Sequence, residues 1–420
     1  FLDFDKLVKI GLPGLQQEVA AFRQKAIETN GDVILFDCML ELLTLVQDMC
    51  LYYAKQAKNL ADSESNAVRK QQLTNMHVAL EYIRDHAPRT MAEGLQLVWI
   101  YGLMTPAIEY GRLDEYIGDL YVSDIEEGRL TEDEAVELTK SFFRLIDHLD
   151  CETDGRIIVG GYGRRNPENA DRMCLVAIEA CRQVKEVLPQ FTLRFNKDTP
   201  AEVWQASQRC IEEGRTYPLL YNDDVLVPGV MEAFSVDRQR AETYMPLGCG
   251  EIEFDHYSIG SPNGSMNTLK ILELAMRGGY EPMTQWTLGP KTKPLSECHS
   301  FEEFLSYYKQ HLTAYIEAQA DFEAYEYEIT GKIHPFMMVT MLYDGCLEKG
   351  KAIFDGGCAY LAGTLELYGN VNAANSLAAI KKCIFEEKKF SCEELESALR
   401  NNFFGKEPLR KALMDAPKYG

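Results

Sequence analysis

Between Arg156 and Tyr244 the chain alternates short apolar runs with amphipathic stretches, and this alternation limits the fold more than any other feature. Arg156–Gly161 (RIIVGG) reads as a buried strand and Asn169–Val184 as the helix that follows it. Gln190–Phe195 (QFTLRF) is the next strand, after which Thr199-Pro200-Ala201-Glu202 supplies an N-cap, an N1 proline and a reciprocal glutamate for a second helix. Tyr217–Tyr221 is a third strand, followed by Asn222-Asp223-Asp224 and helical sequence through Arg238–Tyr244. Repeated β-α units of this length predict an α/β protein with a parallel sheet, either doubly wound or closed as a barrel.

On either side of these units the pattern is helical. Within residues 1–150, Leu73, Met76, Leu80 and Ile83 recur at helical spacing, as do the apolar positions of Val136–Ile146. Thr131 with Glu134 is a capping box, and further helices open at Ser300 with Glu303 and at Ser391 with Glu394. A chain of 420 residues exceeds what one core usually supports. No repeat or Pro/Gly linker divides it, which favours one continuous domain over residues 1–420.

A formal net charge of −22, from 65 acidic and 43 basic side chains, repels phosphate backbones and anionic lipid, so neither nucleic acid nor a membrane surface is an expected partner. No apolar run reaches the ~18 residues of a membrane span. The opening Phe1-Leu2-Asp3-Phe4-Asp5 has neither the form of a signal peptide nor an initiator methionine, so the chain is expected to begin inside a larger product. Twelve cysteines, irregularly spaced and without a Cys-x-x-Cys pair, read as reduced thiols of a cytoplasmic protein, and they would suit an anaerobic cell. Most are expected to be small buried residues.

Chemistry concentrates in Pro246-Leu247-Gly248-Cys249-Gly250-Glu251-Ile252-Glu253-Phe254. Gly248 and Gly250 contribute nothing to a core and permit a tight, bare turn around the thiol. If the backbone is extended there, Cys249 and Glu251 project to one side and place a thiol beside a carboxylate.

Gly248-Cys249-Gly250-Glu251 resembles the Gly-Cys-x-Glu loop of glycyl radical enzymes, the pyruvate formate-lyase-like family, in its dehydratase and lyase branch. Tyr110-Gly111-Arg112-Leu113-Asp114-Glu115-Tyr116, Val159-Gly160-Gly161, Leu188-Pro189-Gln190 with Leu193-Arg194, and Tyr217-Pro218 with Asn222-Asp223-Asp224 are similar to further family segments, in family order. Gly356-Gly357-Cys358-Ala359-Tyr360, Asn375–Lys381 and the ending Ala416–Gly420 extend the likeness over nearly the whole chain.

The resemblance implies a ten-stranded β/α barrel of two antiparallel half-barrels wrapped by helices, with residues 1–150 mainly helical and 151–420 carrying barrel strands and helices. It implies that Cys249, as a thiyl radical, activates a small hydroxylated substrate, and that Glu251 is the general base of an elimination of water, amine or a similar group. Tyr162, Arg165, Asn222, Asp255 and His256, which follow strands or the cysteine loop, are nominated as substrate-binding residues. No organic cofactor or metal is expected within these residues. The partners implied are a radical S-adenosylmethionine activating enzyme, which installs the glycyl radical, and a second copy of the chain.

Adjacent cysteines, which acyl transfer to coenzyme A requires, are absent from the loop, so elimination is favoured over a formate acetyltransferase; a decarboxylase remains an alternative. The family's Arg-Val-x-Gly-Tyr radical loop is also missing, and the chain alone is expected to be inactive. A catalytically inactive or split barrel subunit that binds a metabolite or partner is therefore a further alternative. An ordinary cysteine nucleophile would need a histidine base, for which only His256 is close in sequence.

Overall fold

A computed structural model describes residues 1–105, 109–149, 155–248, 250–260, 263–361 and 363–419, with the side chain of residue 263 excepted. Cys249, the principal sequence candidate, lies outside the described residues. The chain forms two compact units, one of residues 1–260 with 329–362, the other of residues 261–328 with 363–420.

The first unit opens with a helical layer: α1 (Phe4–Glu28), α2 (Ile34–Ser63), α3 (Ala67–Asp85) and α4 (Met91–Gly102). Strand β1 (Gly111–Arg112) leads into α5 (Leu113–Glu126) and α6 (Glu132–His148). Helix α6 starts at the predicted capping box, with Thr131 and Glu134 exchanging both bonds and three acidic residues facing the helix dipole. The predicted β-α units follow as β2 (Ile157–Gly160), α7 (Pro167–Gln183), β3 (Phe191–Phe195), α8 (Ala201–Glu212), β4 (Leu219–Asn222) and α9 (Asp223–Phe234). A short helix α10 (Arg238–Glu242) comes next, then the antiparallel hairpin of β5 (Tyr244–Leu247) and β6 (Glu251–Phe254).

Strands β1 to β4 form one sheet in sequence order, parallel throughout. Strand β2 is buried at every position, as expected where both faces of a parallel sheet are covered. Ile157, Val159, Phe191 and Leu193 join residues of α1, α4, α5, α6 and α7 in one apolar core. Two local expectations shift. Thr199 does not cap α8; its hydroxyl accepts from the Asn196 amide instead, and the helix begins after Pro200. The helix over Arg238–Tyr244 ends at Glu242, because Tyr244 is drawn into β5.

The second unit pairs strands Asn263–Asn267 and Thr364–Tyr368 in parallel and packs helices Thr268–Met276, Asn370–Ile380 and Cys392–Arg400 around Ile271, Leu272, Phe304, Ile380 and Leu395. Ser391 and Glu394 form the predicted capping box there. Of the ten described cysteines eight are buried, in keeping with a packing role, and burial pushes the Cys50 and Cys181 thiols up to about 12. No helix among the described residues is long and apolar enough to cross a membrane.

Candidate active site

The hairpin β5–β6 carries the cysteine loop, and the described residues at its tip define a turn. Gly248 has φ 49° and Gly250 φ 127°, both in the region that favours glycine, as the tight turn permitted by these glycines requires, and the backbone at these two positions is not extended. The Gly250 N–H donates to the Leu247 carbonyl at 2.8 Å, and the Glu251 carboxylate folds back to accept from the same N–H at 2.9 Å. A Cβ on Gly248 would stand 2.9 Å from Glu251 Oε2, and one on Gly250 would stand 3.1 Å from the Tyr221 hydroxyl. Both flanks of position 249 are thus bare because neighbouring polar groups already occupy the space.

The loop sits at the end of the sheet where the parallel strands begin. Arg156, immediately before β2, is fully buried and donates to the Gly248 carbonyl, to Gln190 just ahead of β3, and to Thr192 Oγ1 at 2.7 Å. Sequence reasoning passed over Arg156; the available signal was a charged residue opening an otherwise apolar strand.

The nominated binding residues gather elsewhere. Tyr162, Arg165 and Asn222 follow β2 or end β4, at the end of the sheet where the parallel strands finish. Strand β6 runs away from the loop for four residues, ~3.3 Å each, so Asp255 and His256 also lie beyond its far end. The Asp255 amide bonds the Thr243 carbonyl there, next to the start of β5. Among the described residues that the sequence nominates, Glu251 is therefore the one held at the loop.

At that second end almost every polar side chain is engaged. Fully buried Arg194 and Asp223 pair at 2.9 Å, and Arg194 also donates to the carbonyls of Tyr244 and Glu242. Asp223 accepts from the Tyr244 hydroxyl at 2.6 Å and the Tyr162 amide at 2.7 Å. Burial raises the Asp223 carboxyl, but Arg194 and these donors outweigh it and hold it below the usual range. The Tyr162 hydroxyl bonds Asp224, and the Asn222 side chain caps α9 by accepting from the Asp224 amide. Arg165 is half exposed and paired with Asp5 and Asp119.

His256 has φ 46°, a backbone conformation uncommon outside glycine. Its Nδ1 lies 3.5 Å from Asp255 and its Nε2 4.0 Å from Asp3, the latter the N-cap of α1. Burial disfavours the imidazolium, yet Asp255, Asp3 and Asp344 together raise its pKa above the ordinary value. Burial also raises the Asp3 carboxyl, against the pull of His256. Asp3, His256 and Asp344 are the one group among the described residues whose possible metal-donor atoms converge, within 4.8 Å of one another. The opposed charges of the imidazole and the carboxylates account for that convergence without a metal.

Known proteins put this geometry in context. The (2S)-3-sulfopropanediol dehydratase of Klebsiella oxytoca is 25% identical over 99% of this chain and 53% of its own length. The trans-4-hydroxy-L-proline dehydratase of Clostridioides difficile is 26% identical over 99% of this chain and 56% of its own. The chain thus spans about half the length of the curated relatives it matches. The glycerol-bound structure of the B12-independent glycerol dehydratase from Clostridium butyricum superposes with a TM-score of 0.90 at 24% identity, covering 100% of this chain and 56% of the other. The family model described as pyruvate formate lyase-like matches residues 1–420 from end to end. On that match, the chain belongs to the pyruvate formate lyase-like family.

Proposed function

We propose that this chain carries the substrate-activating part of a glycyl radical lyase that eliminates water or a similar group from a small hydroxylated substrate. The observation that carries the reading is the glycine-flanked turn, in which positions 248 and 250 carry no side chains and the Glu251 carboxylate is held on the Gly250 N–H. The described strands would then be part of a ten-stranded barrel whose interior excludes water from a radical reaction. A glycyl radical on a further segment, installed by a radical S-adenosylmethionine activating enzyme, supplies the one-electron oxidation of the thiol. The working assembly in this reading is a cytoplasmic homodimer.

Cys249 takes a hydrogen atom from the substrate carbon that bears a hydroxyl, a transfer eased because S–H and C–H bonds there are similar in strength. The Glu251 carboxylate takes the proton of that hydroxyl. The neighbouring carbon–oxygen bond breaks, its leaving group departs with the proton that Glu251 has taken, and the product radical recovers a hydrogen atom from Cys249. Arg156 and the turn's own hydrogen bonds keep thiol and base in register through these steps.

In the activated full-length protein, offered glycerol and 3-sulfopropanediol, Cys249→Ala and Glu251→Gln each abolish turnover of whichever substrate the wild type accepts. Carbonyl product formation is the measurement, and circular dichroism checks the fold. Retention of most activity by either variant would sink the mechanism.

A further inference from the structure

The guanidinium of Arg156 is fully buried, and among the described residues it meets no carboxylate. Its three acceptors are neutral: the Thr192 hydroxyl, the Gln190 amide oxygen and the Gly248 carbonyl. Its Nε–H has no acceptor among the described residues. The Glu109 carboxylate accepts from the Arg156 backbone N–H, and burying an always-charged group with only neutral acceptors on its fork is costly. Two of the acceptors belong to the rigid frame, in β3 and just ahead of it. The third is the residue before Cys249, in a turn whose glycines give it little stiffness of its own.

We propose that Arg156 is a positioning residue, whose guanidinium ties the Gly248 carbonyl to the start of the parallel sheet and so fixes the loop at the residue that precedes Cys249. A charge-assisted donor is among the strongest the loop could be given, and the second arm of the guanidinium, held by Thr192, sets its orientation. The other two restraints on the loop, Leu247 and Glu251 on the Gly250 N–H, act within the hairpin. Arg156 is the described side chain that anchors it to the sheet. The significance of this tether rests on the reading of Cys249 as the reacting thiol, but its existence does not.

Hydrogen–deuterium exchange of the 420-residue chain tests it, followed by mass spectrometry of the peptide covering residues 247–254. With Arg156→Met the loop amides should exchange about tenfold faster or more, the usual weight of one charge-assisted bond, while peptides from α5 and α7 keep wild-type protection. Arg156→Lys keeps the charge but not the fork and should give an intermediate loop rate. Wild-type loop protection in a folded Arg156→Met protein overturns the proposal. If the methionine variant loses protection everywhere, the lysine variant decides: selectively faster loop exchange supports the tether, and unchanged or uniformly faster exchange overturns it. Cys249→Ala activity is scored separately, so an inert thiol and an untethered loop are distinguishable failures.

Discussion

The two ends of the parallel sheet in the first unit solve opposite problems. Where the strands finish, most polar side chains are engaged within the protein: Arg194 is paired with Asp223, Arg112 donates to the carbonyls of Gly160 and Tyr162 although its Nε–H finds no acceptor among the described residues, and Asn222 is spent as a helix cap. Where the strands begin, a guanidinium that meets no carboxylate among the described residues bonds the Gly248 carbonyl of the glycine-flanked turn that carries Cys249 and Glu251 in sequence. Function in open α/β sheets usually gathers where parallel strands end. Here that end is built as a clamp, and the loop proposed to react hangs from the other. Polar residues after strands are thus weak indicators of a site when each already has a partner within the protein.

The sharpest way to break the comparison is to cut the clamp. Arg194→Met leaves Asp223 buried without its counter-charge and should cost about 3–5 kcal/mol, read as a fall in the denaturant midpoint. Asp223→Ala should cost a similar amount by stranding Arg194. Because the Asp223 carboxyl is held below its unfolded value of about 3.9, its contribution is in place above that pH and fades as acid approaches the lower folded value. A midpoint unmoved by Arg194→Met would mean that this end is not a clamp.

A smaller effect is expected at His256, whose charge is set by Asp255, Asp3 and Asp344 around it. Its pKa is raised in the folded chain, so its stabilisation is fully present below the unfolded value of about 6.5 and is lost as pH climbs through the folded one. His256→Gln should therefore destabilise at pH 6, on the order of 1 kcal/mol, and much less at pH 9. Paired melting curves at the two pH values measure it. An equal loss at both would assign His256 to packing.

The α/β class, the parallel order of the three main strands and the capping boxes at Thr131 and Ser391 were legible because each rests on local periodicity or a short hydrogen-bonded signature. Glu251 beside a glycine turn was legible from its spacing. The turn's geometry was not, since Gly248 and Gly250 permit both extended and left-handed backbone and only the hairpin register chooses. Arg156 and Gly248 are far apart in sequence, and Arg194 likewise meets Asp223 only across β3 and β4. No local pattern records such pairings. The same long-range geometry separates Tyr162, Arg165, Asn222, Asp255 and His256 from the loop.

Arg165 gives the finest test because its two possible roles predict different observables. Its side chain is 42% exposed and paired with Asp5 and Asp119, which are comparably exposed. Exposed pairs contribute about 0–1 kcal/mol and are screened by salt, so Arg165→Ala should lower stability only slightly, and less still at high ionic strength. If this end of the sheet is scaffold alone, the activated full-length Arg165→Ala protein keeps its KM for whichever substrate the wild type accepts. A guanidinium that instead bound a substrate carboxylate or sulfonate would raise KM by tenfold or more, the weight of about one charge-assisted hydrogen bond, with stability barely changed. That result would move the substrate to the clamped end and require a path from there to Cys249, whereas an unchanged KM confines the chemistry to the end held by Arg156.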